Sequence, residues 1–289
     1  MIIGHQKIRN GFKRSLEKES LSQAYIFTGP ESVGKFTFAL DLTSEINGIG
    51  TNIDPDLVIL SPRIEETKGV EKVKDISIDE IRELQGRLGT TPGHGKHMIA
   101  IINDADRLTK GAQNGLLKIL EEPPENSVLF LIVSNMKRIL PTVVSRCQTK
   151  KFSLMTDKEI SELAGSAKDR EEIIFWSFGR PGWAKRMIED SSLLDENRDI
   201  LKQLKDVISA DLNGRFDLAE NLAKDQAALS RKLAIWAALL RQTVLGNDVL
   251  GISPARALRM IDLIDRGKSI MGNTNANARL ALENMFINI

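Results

Sequence analysis

The 289-residue sequence has a single cysteine, Cys147, and only 5% of its residues are aromatic. One cysteine excludes an internal disulfide and any zinc site built from several cysteines, and we expect Cys147 to be a buried packing residue. His94 and His97 are three residues apart with no cysteine or acidic cluster beside them, which is typical of a surface loop. We therefore expect neither zinc nor any other structural metal.

Long apolar runs and an excess of one charge are also missing. The longest apolar run, at residues 233–240, is eight residues long, far short of the roughly 20 that cross a bilayer. The amino terminus lacks the pattern of a targeting segment, so we expect a cytoplasmic protein with no membrane partner. Because 40 Lys and Arg face 39 Asp and Glu, no overall field draws the chain onto nucleic acid, and any DNA contact must be local or shared with partner chains.

Short apolar runs alternate with helical periodicity in the first half of the chain. The runs lie at residues 24–28, 57–60, 98–102 and 128–133, and helical patterns lie between them. This alternation predicts an α/β domain with a parallel sheet that is buried on both faces. Beyond about residue 155 the strand signals stop, and only helical periodicity remains, broken at residues 179–182.

The sequence GPESVGK, which starts at Gly29, fits the phosphate-loop pattern between a strand and a helix. Gly29 and Gly34 would let backbone N–H groups surround a phosphate, and Lys35 would reach its outer oxygens. A working loop continues with Ser or Thr, whose hydroxyl binds Mg²⁺, but here Phe36 follows and Thr37 is one position late. The same glycines could also serve only a tight strand-to-helix turn.

A second strand end would complete such a site. P-loop ATPases place there an Asp that holds Mg²⁺ and, in many families, a Glu that activates water. In this chain Asn103 stands at the first position and Asp104 at the second, although Asp104 and Asp106 could also cap the next helix. Together with Phe36, Asn103 predicts weak Mg²⁺ binding and little or no hydrolysis.

Two longer motifs carry a family resemblance. Residues 116–124, LLKILEEPP, resemble a LLKxLEEPP segment, and residues 140–147, LPTVVSRC, resemble a LPTxxSRC segment. Through them the chain resembles the delta prime subunits of bacterial DNA polymerase III clamp loaders, which belong to the AAA+ family, and residues 275–283 resemble their last collar helix. The resemblance implies three domains. They are an α/β P-loop (AAA+) domain at residues 1–155, a small all-α helical lid at 156–204 and an all-α helical collar at 205–289.

The resemblance also implies partners and a role. The partners are the gamma/tau and delta subunits, and the assembled complex loads the sliding clamp onto primer-template DNA. Arg146 of the SRC segment is implied to be an arginine finger that acts in trans on ATP in a neighbouring gamma/tau subunit. From the residue type alone, an ordinary salt bridge at a helix end would be the first interpretation of Arg146, and the match to the SRC segment reverses that order. Asn135 matches the polar sensor position of the family, or it caps a loop.

The departures from the family favour a subunit that does not hydrolyse ATP. Trp183 stands where motor subunits have a lid arginine that touches nucleotide, and the nearby Arg180 precedes a proline. With Phe36 and Asn103, this weakens several nucleotide contacts, so we expect any ATP or ADP binding to be weak. We predict a non-catalytic stator subunit, and the alternative is an active ATPase like the gamma motor.

Overall fold

The computed structural model describes residues 4–48, 54–67, 70–247, 249–273 and 277–289. The chain divides into two compact units, Met1–Arg186 and Met187–Ile289. This division falls inside the predicted lid, so the three-domain division with boundaries at residues 155 and 204 stays a prediction. Within the described ranges, no helix has the length and apolar character needed to span a membrane.

The first unit is built on a parallel sheet. Its strands are β1 (Ala24–Thr28), β2 (Leu57–Leu60), β3 (Arg63–Thr67), β4 (Val70–Lys74), β5 (Met98–Ile102), β6 (Ser127–Val133) and β7 (Gln148–Lys151). Five of them form the sheet in the order β2-β5-β6-β1-β7, with every pair parallel, while β3 and β4 form a separate antiparallel hairpin. Every residue of β5 and β6 is buried. The predicted parallel α/β domain is therefore confirmed.

Helices cover both faces of this sheet. Those that begin in the first unit are α1 (Gln6–Glu17), α2 (Lys35–Asn47), α3 (Ile78–Leu88), α4 (Lys110–Glu121), α5 (Pro141–Val144), α6 (Asp157–Ala164), α7 (Arg170–Ser177) and α8 (Pro181–Glu189). α4 begins where the Thr109 side chain accepts a hydrogen bond from the Ala112 N–H. It ends just before Pro123 and Pro124, because proline cannot continue a helix. The first unit thus holds α4 between a capped start and a proline stop.

The two faces of the sheet have different cores. On one face Tyr25 and Phe27 of β1 pack with Phe12 of α1 and Phe38 of α2, and the ring centroids of Phe12 and Tyr25 are 4.7 Å apart. We call this the aromatic face. Ile26 points the other way, into a cluster of Ile, Leu, Val, Ala and Met side chains that includes the buried faces of α3 and α4. We call this the aliphatic face.

A buried carboxylate connects the start of β2 to the loop before β5. Asp56 is 3% exposed, and its two carboxylate oxygens accept hydrogen bonds from the N–H groups of Gly93, His94 and Gly95 at 2.6 to 2.9 Å. Burial alone would raise the pKa of Asp56, but these hydrogen bonds outweigh it and lower the pKa. His94 therefore belongs to a structural turn. Among the residues that the structure describes, no group of three or more His, Cys, Asp or Glu side chains could hold a metal.

The second unit is all-α, as predicted for this part of the chain. Its helices are α9 (Ser192–Ser209), α10 (Leu212–Ala223), α11 (Gln226–Val244), α12 (Pro254–Asn273) and α13 (Ala278–Ile287). Trp236 lies at its centre, where the indole N–H donates to the Ile200 carbonyl at 3.0 Å and the ring packs against Phe286. Of the segment that resembles the last collar helix, residues 275 and 276 lie outside the described residues, and the remainder forms the start of α13 from its cap at Asn277.

Candidate functional site

The phosphate-loop segment joins β1 to α2 through a strained turn. Gly29, Ser32 and Gly34 have φ angles of 149°, 60° and 93°, which side chains rarely adopt. A Cβ on Gly29 would lie 2.2 Å from the backbone oxygen of Phe152, so only glycine fits there. A Cβ on Gly34 would meet nothing within 4 Å, so glycine is needed there only for the backbone angle. Of the two glycines, Gly29 is therefore the one that the packing of the turn requires.

Lys35 is turned into its own loop. The side chain is 5% exposed, and its Nζ donates to the carbonyl oxygens of Gly29 and Pro30 at 2.6 Å each and to the hydroxyl of Ser134 at 3.1 Å. An ammonium group has three N–H donors, so each of them has a protein acceptor. A phosphate bound here would have to displace at least one of these contacts.

Three carboxylates surround this lysine. Burial lowers the pKa of Lys35, and the charges of Glu31, Asp106 and Asp104 oppose that effect. Burial, followed by the charges of Asp106 and Glu31, raises the pKa of Asp104. Asp106 is also held in place, since one of its carboxylate oxygens accepts from the Ser134 N–H at 3.3 Å. These carboxylates offset part of the positive charge that Lys35 would present to a phosphate.

The magnesium-binding groups of a P-loop ATPase have no match here. Phe36 is partly buried and packs against the aromatic face. Thr37 is exposed on α2, and Asn103 is half-buried with its backbone N–H bonded to the Leu60 carbonyl at 2.8 Å. These side chains supply neither the hydroxyl nor the carboxylate that hold Mg²⁺ in that class of enzyme. These three positions therefore favour weak binding of a magnesium–nucleotide complex.

The polar residue beside Lys35 is Ser134 rather than Asn135. Asn135 is exposed, and its side-chain oxygen accepts from the Lys137 N–H at 3.1 Å, which caps the short 3-10 turn Met136–Arg138. The loop-capping alternative for Asn135 therefore fits this geometry. The sequence patterns do not single out Ser134, although its position directly after a buried strand is a feature that could have identified it.

Two further contacts engage the carbonyl oxygens of the loop. The N–H of Gly182, at the start of α8, donates to the Ser32 oxygen at 2.9 Å. A Cβ on Gly182 would lie 3.0 Å from that oxygen, so the close approach depends on glycine. On the other side, Nε2 of His5 lies 3.0 Å from the Val33 oxygen, where it can only act as the N–H donor.

At the predicted lid position Trp183 is engaged by a neighbour. The guanidinium carbon of Arg180 lies 4.7 Å from the centre of the Trp183 ring, which is a cation–π contact. Position 183 thus carries an indole ring, whereas the predicted motor subunits have an arginine there. A positive contact to phosphate from position 183 is therefore absent.

Arg146 forms a second candidate site. It follows α5, and its Nη2 lies 2.8 Å from Oε1 of Glu121 while its Nη1 donates to the Thr142 carbonyl at 3.0 Å. The side chain is 37% exposed. It lines a cavity of about 400 Å³ together with Ala24 and Ser127, the first residues of β1 and β6.

The two sites lie at opposite edges of the sheet. Lys35 follows the carboxyl end of β1, whereas Arg146 lies beside the amino ends of β1 and β6. β1 has five residues, which at about 3.3 Å per residue spans roughly 16 Å. Arg146 therefore cannot serve the loop of its own chain.

A buried glutamine supports the segment that leads to Arg146. Gln113 of α4 is 3% exposed, and its amide N–H group donates to the Leu108 and Arg138 carbonyls at 3.2 and 2.9 Å. Its side-chain oxygen accepts from the Leu140 N–H at 2.8 Å. Three backbone groups are thus satisfied by one side chain, which fixes the chain immediately before α5.

Cys147 packs against the aliphatic face. Burial raises the pKa of its thiol to about 12. A thiol with such a pKa is protonated at neutral pH and is a poor nucleophile. Cys147 is therefore a packing residue, but it is partly buried rather than fully buried as predicted.

Solved structures define the class of fold. A DNA polymerase III gamma subunit-related protein from Thermotoga maritima aligns with a TM-score of 0.52 and 21% identity over 96% of this chain and 97% of that one. A RuvB variant from the same organism aligns with a TM-score of 0.52 and 16% identity over 97% and 87%. The first unit therefore has the α/β fold of AAA+ proteins, with many additional helices.

The sequence comparisons give the family. Residues 4–156, just over half of the chain, match the family described as DNA polymerase III, delta subunit, and the chain belongs to that family. It is 31% identical to subunit delta' of Bacillus subtilis over 164 residues, covering 51% of this chain and 47% of that protein. It is 27% identical to subunit tau of the same organism over 179 residues, covering 60% and 32%. The chain thus spans about a third to a half of the length of these relatives, and the predicted resemblance is confirmed.

Proposed function

We propose that the chain is a non-catalytic stator subunit of the DNA polymerase III clamp loader. It assembles with gamma/tau and delta subunits and supplies Arg146 in trans to ATP bound by a neighbouring gamma/tau subunit. The complex loads the sliding clamp onto primer-template DNA in the cytoplasm. The observation that carries this proposal is the position of Arg146 at the edge of the sheet opposite Lys35.

The chemistry of Arg146 suits such a role. A guanidinium stays charged in proteins and presents five N–H donors in a plane that matches phosphate oxygens. Two of these donors contact Glu121 and Thr142, and the side chain is more than a third exposed. Since its own loop is out of reach, a phosphate that meets this side chain belongs to another subunit.

The state of the loop supports the non-catalytic half of the proposal. All three donors of Lys35 have acceptors within the protein, and three carboxylates lie around it. Phe36, which packs partly buried against the aromatic face, occupies the position of a magnesium ligand in the loop pattern. A chain with these features gains little from binding MgATP.

An active ATPase is the alternative function. It is favoured by the intact strand–loop–helix geometry around Lys35 and by the similarity to tau. The two functions predict different activities for the isolated chain. A motor hydrolyses MgATP in a manner that depends on Lys35, whereas a stator does not.

Steady-state MgATP hydrolysis by the purified chain decides between them, with Lys35→Ala as the matched control. We expect no turnover above that of the variant. Turnover that disappears in Lys35→Ala would make the chain a motor and overturn the stator proposal.

The role of Arg146 is tested in the complex reconstituted with gamma/tau and delta. We expect Arg146→Ala to leave assembly intact in gel filtration and to lower DNA-stimulated ATPase severalfold. An arginine finger raises kcat roughly 10³- to 10⁵-fold at the site it serves. The other ATP sites of the complex keep their own arginine fingers, so the total rate falls only severalfold. Arg138→Ala, which removes another exposed arginine from the same segment, is the control. Equal turnover of the Arg146→Ala and wild-type complexes would remove Arg146 from the mechanism.

A further inference from the structure

The two motifs that carry the family resemblance contact each other through a single ion pair. Glu121 belongs to the LEEPP segment and Arg146 to the SRC segment, and their side chains meet at 2.8 Å. We propose that Glu121 is a positioning residue for Arg146, which it orients for contact with a phosphate of the neighbouring subunit. This inference rests on the proposed function of Arg146 as a finger in trans.

The geometry fixes the guanidinium at two points. Glu121 binds Nη2, and the Thr142 carbonyl accepts from Nη1. The two anchors come from different elements, since Glu121 ends α4 and Thr142 lies in α5. Because the guanidinium is planar, anchors on both of its terminal nitrogens define its position and its plane. Three of its five N–H groups remain beyond these two contacts.

Both anchors are carried by rigid structure. α4 is buried through Leu116 and Ile119 and stops before Pro123, so the position of Glu121 at its end is well defined. The chain entering α5 is held by the hydrogen bond from the Leu140 N–H to Gln113. A group that acts in catalysis needs such support, because small misplacements cost activity.

The ion pair does little for stability. The side chain of Glu121 is 52% exposed and that of Arg146 is 37% exposed, and ion pairs this exposed to solvent contribute little to folding. Arg146 also borders the cavity of about 400 Å³, so its guanidinium can shift without displacing packed side chains. Without Glu121, the arginine keeps one anchor and gains freedom to move.

The test compares Glu121→Ala, Glu121→Gln and the control Glu122→Ala in the reconstituted complex. Glu122 is the adjacent exposed glutamate, so its variant removes the same charge one position away. We expect Glu121→Ala to lower kcat for DNA-stimulated ATP hydrolysis about two- to threefold, which is less than the severalfold loss expected for Arg146→Ala and well inside the roughly 10²-fold that a misplaced group can cost. KM for ATP and the melting temperature should stay unchanged, which separates positioning from a structural role. Glu121→Gln keeps a hydrogen-bond acceptor and should recover part of the loss, and Glu122→Ala should behave as wild type.

A double variant separates this inference from the proposed function. In the Arg146→Ala background, Glu121→Ala should cause no further loss, because the residue it positions is gone. A loss with Arg146→Ala but none with Glu121→Ala would overturn the role of Glu121 and leave the finger standing. A rise in kcat with Glu121→Ala, or an added loss in the double variant, would also overturn it. If Arg146→Ala itself has no effect, the proposed function of Arg146 fails and this inference fails with it.

Discussion

The two glycines of the phosphate loop should differ sharply in what an alanine costs. Both have positive φ angles, yet a Cβ on Gly29 would lie 2.2 Å from the Phe152 oxygen, whereas one on Gly34 would contact nothing within 4 Å. Phe152 cannot retreat easily, because its N–H is bonded to the Thr28 oxygen at 2.7 Å and its ring is buried in the aromatic face. The clash at position 29 is therefore with backbone that is held on both sides.

The magnitudes follow from these contacts. At Gly34, alanine incurs a left-handed backbone cost of about 1 to 2 kcal/mol, partly offset by about 0.4 to 1 kcal/mol from the less flexible unfolded chain. The net loss is about 1 kcal/mol. At Gly29, the backbone cost is joined by an overpacking cost of about 1 to 3 kcal/mol, which gives a total of about 3 to 4 kcal/mol. The difference of about 2 kcal/mol corresponds to roughly 4 to 8 °C in melting temperature.

Thermal unfolding followed by circular dichroism measures this difference, with Gly29→Ala and Gly34→Ala compared in the full chain. Hydrogen exchange of peptides from β1 and β6 reports on the first unit alone. A loss at Gly34→Ala equal to or greater than that at Gly29→Ala would refute the reasoning, because it would mean that backbone angle and not the approach of Phe152 decides the cost.

Two further predictions concern ionisable groups whose pKa is shifted by folding, Asp56 and Cys147. Asp56→Asn should destabilise the first unit by about 2 to 4 kcal/mol in urea unfolding at pH 7, because the amide cannot accept all the N–H groups that the carboxylate accepts. Folding lowers the pKa of Asp56, so its contribution to stability is complete above the unfolded pKa of about 4 and is lost as pH falls through the folded pKa. The difference in unfolding free energy between wild type and Asp56→Asn should therefore narrow below pH 4. A difference that stays constant with pH would contradict this. Cys147, whose pKa is raised to about 12, should react with iodoacetamide at pH 8 on the order of a hundredfold more slowly than the same cysteine in urea. Mass spectrometry follows the reaction, and similar rates in the two states would contradict the raised pKa.

Much of the first unit could be predicted because its strands are buried on both faces. β5 and β6 are continuous apolar runs, and a parallel strand covered by helices has that signature. The hairpin β3–β4 and the edge strand β7 could not be predicted in this way. The sequences of β3 and β4, RIEET and VEKVK, are mostly charged, and the residues of β7 are polar and largely exposed. Backbone pairing holds such strands together, and side-chain pattern does not reveal it.

The candidate sites show the same limit. The phosphate-loop pattern predicts that Lys35 lies between a strand and a helix, but not that the loop's own carbonyl oxygens accept from its ammonium group. The SRC pattern singles out Arg146, but its partner Glu121 is 25 positions earlier in the chain, and no local signal connects the two. Contacts between distant residues depend on how α4 and α5 pack, which periodicity alone does not determine.

The hydrogen bond between Gly182 and Ser32 has a consequence for motion. The junction between a loop and the start of a helix is a place where enzymes can carry a hinge, whose backbone angles change as a ligand comes and goes. In this chain the same region is crossed by a backbone–backbone bond of 2.9 Å, and a left-handed Ser32 and a glycine at 182 permit its close approach. Rotation of the start of α8 away from the loop would break that bond without a ligand to replace it. We therefore expect this hydrogen bond to fix the angle between the phosphate loop and the start of α8. Slow hydrogen exchange of the Gly182 N–H would show that the bond opens only rarely.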